Sequence, residues 1–414
     1  MRIYTIKKRL NIPEYKITAL ISESDQEIHL RLEPHKRKAF ICSQCGQVHK
    51  TGYHGVEESV IQDLSLVDKK LYLHVIKRRY VCPQDQRTHI ETIPWLNKWS
   101  RVTKRFAQQI VRLTAITTNQ EAGWYFGLDD EAVYRIDKEI LGERFNQKLV
   151  PTVAAINLSV DEVSYKKYHR YLTNVVDTDE KAVIWNDKGR KTEILDKYYA
   201  GIGKDACERI ESVALDGART YISSTTKYAV NATIVYDKFH IVSKLNWAVD
   251  MARKQELRKA RKDNNDELVE LINCRQRFIL LKNKSNLTQT QADYLKRLCE
   301  INEPIYKAML LKEDFLKIYD CQTPEEAKAY LTLWCEQALS STVKTFQIIA
   351  QSFKDKMQYI INWFKKKISS AISEGINNKI KRLKRMAYGY KDVDYFKLKI
   401  HQHCGLLNPR RYPQ

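Results

Sequence analysis

Between residues 153 and 250 the chain alternates strand-type and helix-type segments in an order that few architectures accommodate. AINLSVDEV, HRYLTNVVD and KAVIWND follow one another with short connections, each rich in residues that suit strands. TEILDKYYAGIG then has helical spacing, ERIESVALDG returns to a strand, ARTYISSTTKYA is a second helix, and ATIVYDKFH is a fifth strand running into a helix. Three strands, helix, strand, helix, strand predicts a mixed sheet with helices on its faces. That is the order of a ribonuclease-H-like α/β core.

The flanking segments have different periods. Residues 1–98 are short, alternating and turn-rich, which predicts a small β module. Within it Cys42-x-x-Cys45-Gly46 is a knuckle in which two thiolates and backbone amides can hold zinc. Cys82 follows the strand-like KKLYLHVIKRRYVC, where a zinc ribbon would present its second knuckle, but Asp85 stands where a fourth sulfur would be. His89 would complete a tetrahedral site, as would His49, His54 or Asp85, and a degenerate ribbon held by β packing alone is the alternative.

Residues 99–150 turn helical, with Val102, Phe106, Ile110 and Leu113 at helical spacing. NQEAGWYFGLDDEAVYRIDKEI then reads as helix, tight turn and helix: Gly123 lies where helices cross, Gly127 makes the turn, and Asp129 or Asp130 caps. A helix-turn-helix of this kind would offer Glu131, Tyr134 and Arg135 to a DNA major groove. A plain helical hairpin is the bland alternative. From 251 to 365 strands are absent and long charged helices predominate, predicting an all-helical insertion. Residues 366–414 return to a basic helix ending at Gly389 and complete the core.

Charge narrows the partners. Lys and Arg number 71 against 50 acidic residues, a net charge of +21, which favours a polyanion through counterion release. Double-stranded DNA is the expected partner. The basic start, MRIYTIKKRL, lacks the apolar run of a signal peptide. With no apolar stretch of membrane-spanning length either, a cytoplasmic, nucleoid-associated protein without a membrane partner is expected. Cys207, Cys274, Cys299, Cys321 and Cys335 sit singly among helical patterns and read as small core residues.

Phosphodiester chemistry on a basic protein directs attention to carboxylates at strand ends, because two Mg2+ or Mn2+ ions about 4 Å apart need hard oxygen ligands. Asp161 ends the first strand of the sheet and Asp216 the fourth; those strands are neighbours in the expected topology. Glu374 opens the last helix and could close the set from above. Asn377, Lys381 and Lys384 share nearly one face of that helix and suit a DNA backbone. Each acid alone is more often a turn or cap residue, so the argument rests on their joint placement.

Three blocks carry a resemblance to a known family. SEGINNKIKRLKRMAYGYKDVDYFKLKI, SVDEVSYKKYHRYLTNVVD and YDKFHIVSKLNWAVD are similar to blocks of the ISL-three-type DDE transposases of bacterial insertion sequences, and the similarity covers nearly the whole length. The resemblance implies an amino-terminal zinc ribbon, a helix-turn-helix and a ribonuclease-H-like core. It implies binding of terminal inverted repeats, metal-dependent cleavage and strand transfer into target DNA, and a homodimer or larger assembly. It assigns Asp161 and Glu374 as catalytic acids. Strand topology selects Asp216 as the second acid, with Asp237 and His240, a D-x-x-H pair, as accessory groups or as the alternative. A catalytically inactive DNA-binding regulator derived from such an enzyme is the competing expectation.

Overall fold

The computed structural model describes residues 10, 12, 14–35, 39–96, 101–148, 155–166, 170–273, 276–282, 286–366 and 371–409. The domain boundaries expected at 98/99 and 150/151, the amino-terminal residues 1–9 and Cys274 lie outside these. The chain divides into two compact units, 1–147 with 407–414, and 148–406.

In the first unit, strands β1 (Tyr15–Glu23), β2 (Glu27–Pro34), β6 (Lys69–Val81) and β5 (Tyr53–Leu66) form a sheet in that order, with β7 (Thr88–Ile90) also paired to β6. Its strands are not uniformly short: β5 and β6 run for 14 and 13 residues and form one long hairpin. The alternation that buries Ile28, Leu30, Leu32, Leu71, Leu73 and Val75 on one face explains its cohesion. A small hairpin, β3 (Phe40–Ile41) with β4 (Val48–His49), carries the first knuckle. Helices α1 (Lys104–Thr114), α2 (Asn119–Phe126) and α3 (Asp130–Lys148) follow. Asp63, fully buried, receives hydrogen bonds from Thr103 Oγ1 at 2.6 Å and Arg105 Nε at 2.8 Å, which ties α1 to β5.

In the second unit, β8 (Asn157–Lys166), β9 (Arg170–Asp177), β10 (Ala182–Lys188), β11 (Ser212–Leu215) and β12 (Thr233–Tyr236) form one sheet in the order β10-β9-β8-β11-β12. β8, β9 and β10 are antiparallel neighbours, whereas β11 is parallel to both β8 and β12. Helices α4 (Thr192–Ile202), α5 (Lys204–Glu208) and α6 (Arg219–Tyr228) occur between β10 and β12. Leu195, Tyr199 and Tyr221 from α4 and α6 pack with Leu158, Val160, Val213 and Leu215 on one face of the sheet. The other face meets α15 (Ala371–Met386) and α16 (Val393–Cys404), where Ile376, Ile380, Phe396 and Ile400 pack on Val163, Leu172 and Val176.

Between β12 and α15 the described residues form helices and their connections, with no strand. Helix α7 (Lys238–Lys262) leads into α8 (Asp266–Leu271), α9 (Arg277–Leu281), α10 (Gln289–Ile301), α11 (Glu303–Leu316), α12 (Pro324–Ser340), α13 (Lys344–Asp355) and α14 (Met357–Lys365). The boundary expected at 250/251 falls inside α7. Its buried residues Leu245, Ala248, Val249 and Ala252 recur at helical spacing across that point, and Asp250 and Arg253 pair one turn apart at 2.8 Å. The insertion has its own core around Phe315, Trp334, Phe346 and Phe353. It is fastened to the sheet edge by Asn362 Nδ2, which donates to the Ile234 carbonyl at 2.8 Å.

Candidate functional site

Strand register places three acids in a row. Ala214 of β11 is paired with Ser159 of β8 on one side and with Val235 of β12 on the other. Two residues further along each strand come Asp161, Asp216 and Asp237. Because side chains alternate with a period of two, these acids share the face carrying Val163, the face that α15 covers. Asp161 does not end its strand, as the sequence suggested: β8 continues to Lys166 through its pairing with β9. What ends at Ser159 is the pairing with β11, so Asp161 stands on the rim of the parallel part alone.

Asp216 and Asp237 also play the commonplace role expected of strand-end aspartates. Asp216 Oδ1 accepts from the Ala218 amide at 2.8 Å, and Asp237 caps α7 by accepting from the Phe239 amide at 2.7 Å. These bonds fix their rotamers. Gly217 is needed next to Asp216, since its φ is +78° and a Cβ there would meet the Tyr236 ring at 2.7 Å. Gly217→Ala should therefore destabilise the protein by about 2–3 kcal/mol, read by thermal unfolding.

Asp161 stands at the β8 end of the row. Burial pushes its carboxyl above the ordinary range and the charge of Asp216 adds to this, opposed by His240, the Glu162 amide and Asn377. His240 Nε2 lies 3.8 Å from Asp161 and 3.9 Å from Asp237, so the imidazole stands between the outer acids. Asn377 of α15 donates from Nδ2 to Asp161 Oδ2. Glu374 is exposed one helical turn before Asn377, so it shares the side of α15 that meets Asp161. Among the described residues no group of three acids, Glu374 included, converges within 4.8 Å.

The helix that carries Glu374 is basic, but its lysines divide. Lys384 is half-buried and donates to the Ser164 carbonyl at 3.1 Å, which ties the helix to β8. Lys381 is exposed. Sequence reasoning missed a second cationic flank. The ammonium groups of Lys244 and Lys356 lie 5.1 and 5.7 Å from the centroid of buried Tyr236. Burial holds both amines below their usual range, and both feel the charge of Asp216. Nothing in the spacing of these residues in the chain, more than a hundred apart, announces that they meet.

The second candidate centre lies in the first unit. Cys42, Cys45, His49 and Cys82 each offer a ligand atom, all within 4.8 Å of one another. The two knuckles share one backbone pattern: the Cys42 amide donates to Gln47 and the Gly46 amide to Cys42, as the Cys82 amide donates to Arg87 and the Gln86 amide to Cys82. Gly46 and Gln86 both adopt positive φ, +71° and +57°. The second knuckle is thus built although Asp85 replaces its second cysteine.

His89 does not join this cluster. Its Nε2 pairs with Asp85 at 2.7 Å, four residues away, and Asp85 also accepts from the Arg87 amide. His49 takes the place instead, because the β3–β4 hairpin pairs it with Phe40 and swings its Nε2 to 3.2 Å from Cys45 Sγ. Burial opposes ionisation of Cys42, yet the amides of Cys45 and Gln44 and the Tyr80 hydroxyl hold its thiol at about 6. The donor set and its amide support fit a tetrahedral zinc site.

Comparison with known proteins now decides the family. A transposase family model of the DDE ISL3 type matches residues 158–400, and a model for the zinc finger of the IS204/IS1001/IS1096/IS1165 transposases matches residues 38–85. The transposase for insertion sequence element IS1001 of Bordetella parapertussis is 33% identical over 369 residues, 88% of each chain. The chain belongs to the ISL3 family of DDE transposases. The transposase for IS1557 of Mycobacterium tuberculosis is more distant, 23% identical over 382 residues that cover 87% of this chain and 85% of the relative. Among its described residues this transposase has no helix long and apolar enough to cross a membrane.

The two-helix segment of the transposase follows its sequence closely. Gly127 closes α2 at φ +67°, and Asp129 caps α3 by accepting from the Glu131 amide at 2.8 Å. Gly123 serves the turn: a Cβ there would meet the Leu128 carbonyl at 2.7 Å. Glu131 and Arg135 are exposed on α3, whereas Tyr134 is half-buried beside Lys138. Trp124 and Tyr125, exposed on α2, were not anticipated.

Proposed function

We propose that this insertion-sequence transposase cleaves and rejoins DNA at the acid row, with Asp161, Asp216 and Glu374 as the ligands of two divalent ions. The observation that carries this reading is the register: Asp161 and Asp216 each come two residues after the paired Ser159 and Ala214 of adjacent strands, whereas Asp237 follows the next strand, a further spacing of about 4.8 Å away. The strand order supports a ribonuclease-H-like core. The residues present fit hard cations: Asp161 and Asp216 are oxygen donors whose mutual repulsion a cation would relieve. Bound ions would activate the attacking oxygen and stabilise the leaving one.

The chain's own groups supply the rest. Asn377 orients Asp161 by holding Oδ2, and leaves Oδ1 toward the row and His240. His240 offers a proton donor or acceptor between the outer acids and serves as the accessory group with Asp237. Lys244, Lys356 and Lys381 supply positive charge for phosphates on either side. In the first unit, α2 and α3 are read as a helix-turn-helix whose Glu131, Tyr134 and Arg135 face a major groove, beside a zinc ribbon. Both would bind terminal inverted repeats, and pairing of two ends implies a dimer or larger assembly on DNA.

The test is cleavage of a duplex ending in the element's own inverted repeat, with Mg2+ or Mn2+. Asp216→Ala and Glu374→Ala are expected to lose about 10³-fold or more, and Asp237→Ala about tenfold or less. Full activity of Asp216→Ala with loss in Asp237→Ala would move the second ligand to β12. Loss of cleavage with retained DNA binding would separate the enzyme from a regulator that only binds. For zinc, His49→Ala should weaken affinity by more than about 100-fold while His89→Ala leaves it unchanged, as read by competition with a chromogenic chelator.

A further inference from the structure

Tyr388 has a conformation and an exposure that its own fold does not require. Its side chain is fully exposed, at 101% of the reference area, and among the described residues its ring and hydroxyl have no partner. Its backbone is left-handed, with φ +49°. Helix α15 closes with the Gly389 amide donating to the Lys384 carbonyl at 2.9 Å and the Tyr388 amide to Arg385 at 3.0 Å. That closure makes Tyr388 the left-handed terminating residue, a place where glycine is preferred because a Cβ crowds the backbone. Gly389, at φ +106°, comes one position too late to relieve it. A bulky ring kept in a strained position, with no packing in return, points to a role outside the chain.

The surroundings identify the chemistry of its partner. From 375 to 391 there is no acidic residue, and Lys379, Lys381, Arg382 and Arg385 are exposed. The same helix begins at Glu374 and touches Asp161 through Asn377. From Asn377 to Tyr388 the chain advances about 16 Å, close to five base steps of about 3.4 Å. Basic charge followed by an exposed aromatic ring is the combination that holds a nucleic-acid strand: cations meet phosphates and the ring meets a base.

We propose that Tyr388 is a positioning residue that stacks on a nucleobase, unpaired or turned out of the duplex, about five steps from the acid row. The inference rests on the reading of that row as the DNA cleavage site. It places the strand along α15 and gives the end of the helix the task of fixing its register.

Tyr388→Gly separates this from a structural role, because glycine relieves the backbone. The full-length variant should have an unchanged or higher Tm. It should nevertheless bind an inverted-repeat duplex with a single-stranded end about 5- to 100-fold more weakly. Tyr388→Phe and Tyr388→Trp should bind within about twofold of the parent, since stacking uses the ring and not the hydroxyl. With 2-aminopurine moved base by base along the end, one position should change fluorescence in the parent, Phe and Trp proteins but not in the Gly protein. The response should persist in Asp161→Asn whether or not that variant cleaves, which keeps the stacking result independent of the metal-site reading. Binding by Tyr388→Gly equal to the parent, or a lower Tm in that variant, would overturn the proposal.

Discussion

Changing Asp161 to asparagine is expected to lower strand cleavage by about 10³-fold or more, while DNA affinity stays within about twofold. Charge stabilisation by a bound cation is worth several kcal/mol, and each 1.36 kcal/mol is a factor of ten in rate. Asparagine preserves the shape and can still meet Asn377 with its carbonyl oxygen, but it removes one negative charge of the row. Stability should be unchanged or higher without metal, because burial already disfavours the charged Asp161. The sign of the pH dependence follows. A carboxyl whose folded-state pKa is raised binds more protons in the native state, so its contribution is present at low pH and is lost as pH rises through the raised value. Metal-free parent protein should therefore lose stability relative to Asp161→Asn as pH climbs above about 4, the ordinary carboxylate range, in paired thermal melts.

Cys82→Ser, or removal of zinc by a strong chelator, is expected to give the largest loss of structure. Structural zinc sites contribute about 10–16 kcal/mol in small peptides, and the knuckles here have little else to hold them. Strands β3 and β4 are two residues each, and the local cluster consists of Phe40, Cys42, Tyr80 and Cys82 with Cys45 against it. The neighbouring sheet has its own core around Leu30, Leu71 and Leu73 and should survive. Hydrogen exchange should then show the Gly46 and Gln86 amides losing protection while β2 and β6 keep theirs. Uniform loss across both regions would mean that the zinc site and the sheet fold as one unit.

Much of this was written in local pattern. The strand and helix order between 157 and 262 was legible because each element carries its own period, and Gly127 and Asp129 announced the turn before α3. Asp161 and Asp216 were legible as neighbours once the strand order was read. Their common row with Asp237 was not, because register depends on which residues of different strands pair. The choice of His49 over His89 was hidden for a similar reason. Spacing offered both histidines, and only the pairing of Phe40 with His49 decides which ring reaches Cys45. The bond of Lys384 to the Ser164 carbonyl was also hidden, because its acceptor is on a strand 220 residues away in sequence. Helix α7 crosses position 250 with its buried residues in the same core on both sides, so composition gave no boundary there.

The proposed cleavage requires cations gripped between two adjacent strands and one helix. Anomalous scattering from crystals of the transposase bound to an inverted-repeat end, with Mn2+ in place of Mg2+, measures this directly. Two peaks about 4 Å apart are expected, bounded by the carboxylates of Asp161 and Asp216 with Glu374 closing the site from α15. Manganese at Asp237 and His240 with none on Asp216, or no manganese on Asp161 at all, would contradict it.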